Sequence, residues 1–292
     1  MAINNSLANR QQGRLGIAAY LSQDAVKNKI NEVIGGKDGQ RFISAIVSAT
    51  TANPALQECS NGSILSAAIL GESLKLSPSP QLGQYYLVPF KDKEKGKVAQ
   101  FQLGYKGYIQ LAIRTGQYKK LNVLGIKEGE LIRFDPLNEE IEVQLIEDED
   151  ARETAETVGY YAMFEYTNGF KKAMYWSKKK MEAHALKYSQ GYAADKRKGT
   201  SWTFWSKDFD GMAYKTMLRQ LISKWGIMSI EMQSAIDADM AVINDDGTKD
   251  YVDNQPEPQV IEAEAVMEAE PVQEAQKAIT ETNEVQQALF GK

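Results

Sequence analysis

Four lysines, Lys91, Lys93, Lys95 and Lys97, alternate along one short stretch, with Asp92 and Glu94 between them. On a two-stranded ribbon the period of two places such side chains largely on one side, although the turn itself disturbs the alternation. The chemistry on offer is a row of ammonium groups facing an extended anion, or a set of charges that blunts an exposed hairpin tip against edge pairing. Gln100 and Gln102 then carry amide donors on one face of the following strand, Tyr105 and Lys106 stand at its end, and Arg114, Lys119 and Lys120 bracket the helix beyond. Cations interleaved with aromatic rings are what a groove for single-stranded nucleic acid requires, charges for the phosphates and flat rings for the stacked bases.

The same composition recurs twice. Lys178-Lys179-Lys180 opens a predicted helix, where the helix dipole disfavours cations, so Lys178 and Lys180 point either to an external anion or to a solvated face. Lys196-Arg197-Lys198 lies in a glycine-containing stretch, Gln190 to Thr200, read as a mobile loop ahead of Trp202 and Trp205. Lys207, Lys215 and Arg219 are spaced eight and four apart. That spacing puts them on one side of a helix predicted over 203–222, opposite Phe204, Phe209, Met212, Met217 and Leu221.

Other chemistries lack their residues. One His184 and one Cys59 cannot supply a zinc set. Neither Gly36-Lys37-Asp38 nor Gly96-Lys97-Val98 has the upstream glycine or the hydroxyl of a nucleotide-binding phosphate loop, and there is no G-x-S-x-G elbow for a nucleophile. Carboxylate clusters remain as the one catalytic option, but Asp208 and Asp210, two apart in a predicted helix, point to different faces. The expectation is a binding protein without catalytic residues or cofactor, in which magnesium at most assists.

A formal net charge of -5 over 292 residues argues against a polyanionic partner only if the charge is evenly spread. It is not. From Ile236 to Lys292 fourteen acidic residues face three lysines, a charge of -11, and the preceding 235 residues hold +6. A second acidic run, Glu139 to Glu156, is read as a solvated loop, and without it the body rises to +14. The organisation expected is a flexible lead-in over 1–17, a core over 18–244 and an acidic linker and tail over 245–292, mostly disordered, with one amphipathic stretch at 279–290. A single cysteine excludes an internal disulfide, the first twenty residues lack a signal-peptide pattern, and no apolar run approaches the ~18 residues that span a bilayer. An intracellular chain with no membrane partner is expected.

These cationic segments need elements to position them. Helices are predicted at 20–34, 41–51 and 54–74, a hairpin at 83–103 and a helix at 108–115. Strands follow at 121–126, 131–134, 141–145, 158–166 and 169–176, and helices return at 177–188, 203–222 and 231–243. Helices, then a strand block, then helices argue α+β: a mostly antiparallel sheet with a basic hairpin, packed against helices.

Three stretches resemble the RecT family of phage single-strand annealing proteins, related to the λ Red beta type. They are Arg41 to Val47; Tyr86-Leu87-Val88-Pro89-Phe90 with Leu103-Gly104-Tyr105-Lys106-Gly107-Tyr108 and on to Gly116; and Trp202 to Trp205 with Met212 to Leu221. The resemblance implies a protein of the bacterial cytoplasm that binds single-stranded DNA and anneals complementary strands without ATP. It implies an oligomeric ring or helical filament, working beside a phage 5'-3' exonuclease and contacting the host single-strand binding protein through its C-terminal region. A non-annealing coating or scaffold protein is the alternative. Relatives often carry Arg where this chain has Lys106, which keeps the charge and loses the bidentate fork. The arrangement expected is one groove lined by the hairpin lysines, Lys106, Arg114, Lys215 and Arg219.

Overall fold

Ile17, Leu21, Ile30, Phe42 and Ile46 recur at helical spacing, and all are buried. They belong to α1 (Ile17–Leu21), α2 (Asp24–Ile34) and α3 (Gly36–Ala52) of a computed structural model that describes residues 15–92, 95–244 and 246–251. The lead-in up to residue 14, Lys93 and the tail beyond residue 251, with its 279–290 stretch, lie outside the described residues. Gly35, at φ +90°, turns the chain between α2 and α3. The helix predicted over 54–74 is two elements, a 3-10 turn at Pro54–Glu58 and α4 (Asn61–Ser73), because the Ser60 hydroxyl caps a new start by accepting the Ser63 N–H at 3.2 Å.

The period then changes to two. β1 (Tyr85–Asp92) and β2 (Gly96–Leu103) pair from Tyr85 opposite Leu103 to Asp92 opposite Gly96, the expected basic hairpin. The chain continues through α5 (Tyr105–Arg114), β3 (Tyr118–Lys127), β4 (Leu131–Asp135), β5 (Glu140–Val143), α6 (Glu149–Thr154), β6 (Thr157–Tyr166) and β7 (Lys171–Ser177). Helices α7 (Lys178–Tyr188), α8 (Gln190–Lys198), α9 (Phe204–Lys207), α10 (Phe209–Trp225) and α11 (Ile230–Ala238) precede β8 (Ala241–Ile243) and β9 (Lys249–Tyr251). The class is α+β, with every described pairing antiparallel, in sheets of order β1-β2-β8-β9, β3-β6-β7 and β4-β5.

Five local expectations are corrected. The Gln190–Thr200 loop is helix α8, begun by the Ser189 hydroxyl on the Tyr192 N–H and ended by Gly199 in the left-handed region at φ +67°. The 203–222 helix breaks at Asp208, whose carboxylate caps α10 through the Gly211 N–H at 2.9 Å. Residues 241–243, read as the end of a helix, form strand β8 beside β2, and β9 lies inside the stretch read as linker. The acidic run over 139–156 holds, besides β5 at the strand expected over 141–145, the helix α6 in place of a loop.

Two apolar cores result. One joins α1 to α5, the inner face of β1-β2 and α11; the other lies between β6, α7, α8, α9 and α10. Helix α10 serves both, with Leu218 and Ile222 in the first and Ala213, Met217 and Leu221 in the second. Each fully buried Leu, Ile or Met contributes about 1.5–3 kcal/mol. A helix apolar on two sides has no wide polar face left, which decides where its charged residues can go.

Candidate nucleic-acid interface

Lys91 and Lys97 stand directly opposite each other on the hairpin and so share one face, as the period of two requires. Lys91 is exposed and makes no ion pair among the described residues. Lys97 is paired with Glu58, and Lys95 with Asp250 and the Asn244 side chain. Such exposed pairs are worth about 0–1 kcal/mol, so an incoming phosphate can compete for either lysine. Gln100 and Gln102 are a correction: at 2% and 8% exposed they are buried in the protomer. Strand β2 is central, paired with β1 on one edge and β8 on the other, and both of its faces are covered from Val98 to Leu103, so the two amides do not reach solvent.

Gly104 opens α5, with Tyr105 half-buried and Lys106 exposed. A Cβ on Gly104 would lie 2.2 Å from the Gly83 carbonyl oxygen, and one on Gly107 2.2 Å from that of Gln84. These glycines serve the close packing of the 83–84 backbone on the start of α5. Tyr86 and Lys106 both lie against Gly83, which brings a ring and a cation to one spot. At the other end of α5, Arg114 donates to the Leu74 and Lys75 carbonyls at 2.7 and 2.6 Å. Its guanidinium is engaged in closing the end of α4.

Lys215 is likewise withdrawn. Its ammonium lies 2.7 Å from the Asp239 carboxylate, and burial pulls its pKa below the ordinary lysine value. Asp239 also accepts the Leu103 N–H at 2.9 Å and holds Arg219 at 3.2 Å. Arg219 is about one-third exposed and Lys207 sits on the separate helix α9, so the cationic ridge expected along one helix is not formed.

The rings make a continuous row instead. Lys106 lies 6.0 Å from the Tyr105 centroid, Tyr105 meets Tyr214 at 5.7 Å, and Tyr214 meets Tyr160 at 6.0 Å. Phe209 follows at 6.2 Å and Tyr192 at 6.1 Å from it, with Lys196 over the Tyr192 ring at 5.4 Å. Tyr86 and Phe204 form a further contact at 5.4 Å. Tyr160 and Tyr192 are buried anchors; Tyr86, Tyr105, Phe204 and Tyr214 reach the surface. Tyr160 is fixed by its hydroxyl, which donates to Asp210 at 2.6 Å.

Asp195 controls the neighbouring loop. Its carboxylate accepts from the Thr200, Thr203 and Ser206 hydroxyls and from the Trp202 and Thr203 backbone N–H groups, at 2.6 to 3.0 Å. Those donors hold its pKa well below the usual carboxylate range. The loop so fixed turns Trp205 inward and leaves Trp202 78% exposed. Around it Arg197, Lys198 and Lys207 are exposed and make no ion pair among the described residues, and α8 ends on Lys196-Arg197-Lys198, where the dipole favours cations. Lys196 is paired with Glu182 at 2.9 Å, Lys178 with Glu156 at 2.8 Å, and Lys180 lies over Trp176 at 4.4 Å. Lys119 and Lys120 lie apart from this row, at 2.7 and 3.9 Å from Glu165.

The model of the RecT family matches residues 40–257. The chain belongs to the RecT family. It is 39% identical over 263 residues to the uncharacterized protein YqaK of Bacillus subtilis (strain 168), covering 87% of this chain and 84% of that protein. It is 30% identical over 228 residues to Protein RecT of Escherichia coli (strain K12), covering 76% and 80%. The RecT match runs from α3 to beyond β9 and so includes the second core, the first core apart from α1 and α2, and the ring row.

In this RecT-family chain the structure brings Lys106 beside Tyr105 and Tyr86, leaves Trp202 and Lys207 exposed beside and on α9, and holds Arg114, Lys215, Gln100 and Gln102 in packing roles. Tyr86, Phe204 and Tyr214 were not singled out as site residues by pattern. Their signal was the matching stretches themselves, in which each of these rings stands.

Proposed function

We propose that the protein binds single-stranded DNA and anneals complementary strands during recombination, as an oligomer and without nucleotide hydrolysis. The observation that carries this reading is the presence of surface rings, Tyr86 against Phe204, Tyr105 against Tyr214 and the separately exposed Trp202, together with the exposed cations Lys106, Arg197, Lys198 and Lys207, which make no ion pair among the described residues. Cations neutralise the phosphates and rings take the bases, with little sequence preference because backbone contacts carry no base code. Annealing runs downhill, since each base-pair step is worth about 1.4 kcal/mol. The protein therefore has only to screen and align two strands, which no hydrolytic step need drive. Membership of the RecT family supports the assignment. A ring or filament would extend the row from protomer to protomer. A phage exonuclease supplying single strands and a host single-strand binding protein are the partners this role requires.

The test is annealing of two complementary labelled oligonucleotides added one after the other, with the full chain, no nucleotide, and magnesium present or chelated. Faster pairing within a protein complex is expected. Tight binding of the first strand that blocks the second would overturn the annealing role in favour of a coating protein.

A further inference from the structure

Glu165, on β6, is 6% exposed and has three ammonium groups around its carboxylate: Lys119 at 2.7 Å, Lys171 at 3.6 Å and Lys120 at 3.9 Å. The strand register explains the grouping. Lys120, Glu165 and Lys171 stand directly opposite one another across β3, β6 and β7, so their side chains share one face. Alternation would send Lys119 to the other face, but the register slips between Tyr118 and Lys120, and this irregularity brings two consecutive lysines to one carboxylate. Lys172, the next residue on β7, obeys the alternation and is held elsewhere, by Glu139 at 2.6 Å and over the Trp225 ring at 3.8 Å.

One carboxylate cannot balance three ammonium groups, and the cluster keeps a charge of +2 on a rigid sheet. The same face carries Tyr161 and Met163, both half-buried, while the alternate residues Tyr160, Ala162 and Phe164 pack into the second core. The ring row that includes Tyr160 is thus on the inner side of this sheet and the lysine cluster on its outer side. We propose that the outer face of β3-β6-β7 is a second anion site, which takes phosphates of a nucleic-acid backbone while the ring row holds another strand. Lys119, Lys120 and Lys171 contact the phosphates; Glu165 is a positioning residue that keeps the three together. This rests on the single-strand binding proposed above, and gives each protomer strand contacts on opposite sides of one sheet.

The test uses the full chain saturated with one labelled oligonucleotide, to which a second, non-complementary oligonucleotide carrying a different label is added across a salt series. The double variant Lys120→Gln, Lys171→Gln is expected to bind the first strand within about two-fold of the parent and to capture the second at least five-fold more weakly. Its second-strand salt slope should be lower by about 1.4, two phosphate contacts at about 0.7 each. Glu165→Gln separates positioning from bulk charge: it adds one positive charge, so attraction alone predicts tighter capture, whereas loss of positioning predicts about three-fold weaker capture. Equal second-strand capture by parent and double variant would overturn the inference. So would a change of oligomer size in the double variant with capture intact, which would assign the face to contacts between copies. Absence of first-strand binding by the parent would instead refute the single-strand reading, a result distinct from both.

Discussion

Lys215 and Asp239 meet at 2.7 Å with both side chains nearly withdrawn from solvent, 7% and 0% exposed. The pair ties the middle of α10 to the residue that follows α11, and through the Leu103 N–H to the end of β2. A lysine that looks like part of a cationic ridge is therefore a tie between three elements. Lys215→Met would leave Asp239 with the Leu103 N–H and, among the described residues, Arg219 as its one charged partner, and removal of one partner of a buried pair costs about 3–5 kcal/mol. We expect the unfolding free energy measured by urea titration to fall by an amount in that range, at its lower end because Arg219 remains, with DNA affinity per folded molecule unchanged. A variant of parental stability that had lost DNA binding would contradict this.

Lys106 is exposed at the start of α5, beside Tyr86 and Tyr105. Lys106→Ala is expected to weaken single-strand binding equally for unrelated sequences and to lower the salt slope by about 0.7, the value of one phosphate contact. Gln102→Ala, at a buried position, should leave the slope alone and lower thermal stability instead. Titrations at several salt concentrations distinguish the two.

Trp202 and Trp205 are three residues apart and differ in burial, 78% against 6% exposed. Trp202→Ala should change stability by no more than about 0.5 kcal/mol, yet cost about 1–3 kcal/mol of single-strand affinity through lost stacking. Trp205→Ala removes a core ring and should cost about 3–5 kcal/mol of stability. Quenching of Trp202 fluorescence by an unlabelled oligonucleotide gives an independent reading of the first effect.

The Asp195 carboxylate is held charged by its donors, and its pKa in the folded chain lies below the ordinary value. The stabilisation it supplies is therefore complete above the unfolded carboxylate pKa of about 3.9 and is lost as pH falls from there toward the folded value. Between pH 5 and pH 3 the parent should lose more stability than Asp195→Asn, whose amide does not titrate. Parallel pH dependences of the urea midpoint in the two proteins would show that Asp195 contributes nothing in this window.

Lys97 and Lys95 are held by Glu58 and Asp250 at the hairpin. If the hairpin faces DNA, Glu58→Gln and Asp250→Asn release two cations to it. Single-strand affinity at low salt should then rise and the salt slope steepen by up to about 1.4. Unchanged binding would assign these pairs to the packing of the hairpin alone.

Much of this protein follows from local pattern. The apolar spacing of Ile30, Phe42 and Ile46, the switch to a period of two at Tyr85 and the charge contrast between body and tail need only the chain itself, because helix faces, strand faces and net charge are set by near neighbours in sequence. Tyr105 and Lys106, read by pattern as the end of the hairpin ahead of a helix from 108, instead form the first turn of α5. The fates of Lys215, Arg114, Gln100 and Gln102 do not follow from local pattern. Each depends on a group far away in sequence: Asp239 for Lys215, the Leu74 carbonyl for Arg114, and β8, which makes β2 a central strand, for the two glutamines. Whether a polar side chain meets solvent or a buried partner is a matter of desolvation and geometry, and both exist only once distant segments have packed. The convergence of Lys119, Lys120 and Lys171 on Glu165 is of the same kind, since a register slip between two strands placed them together.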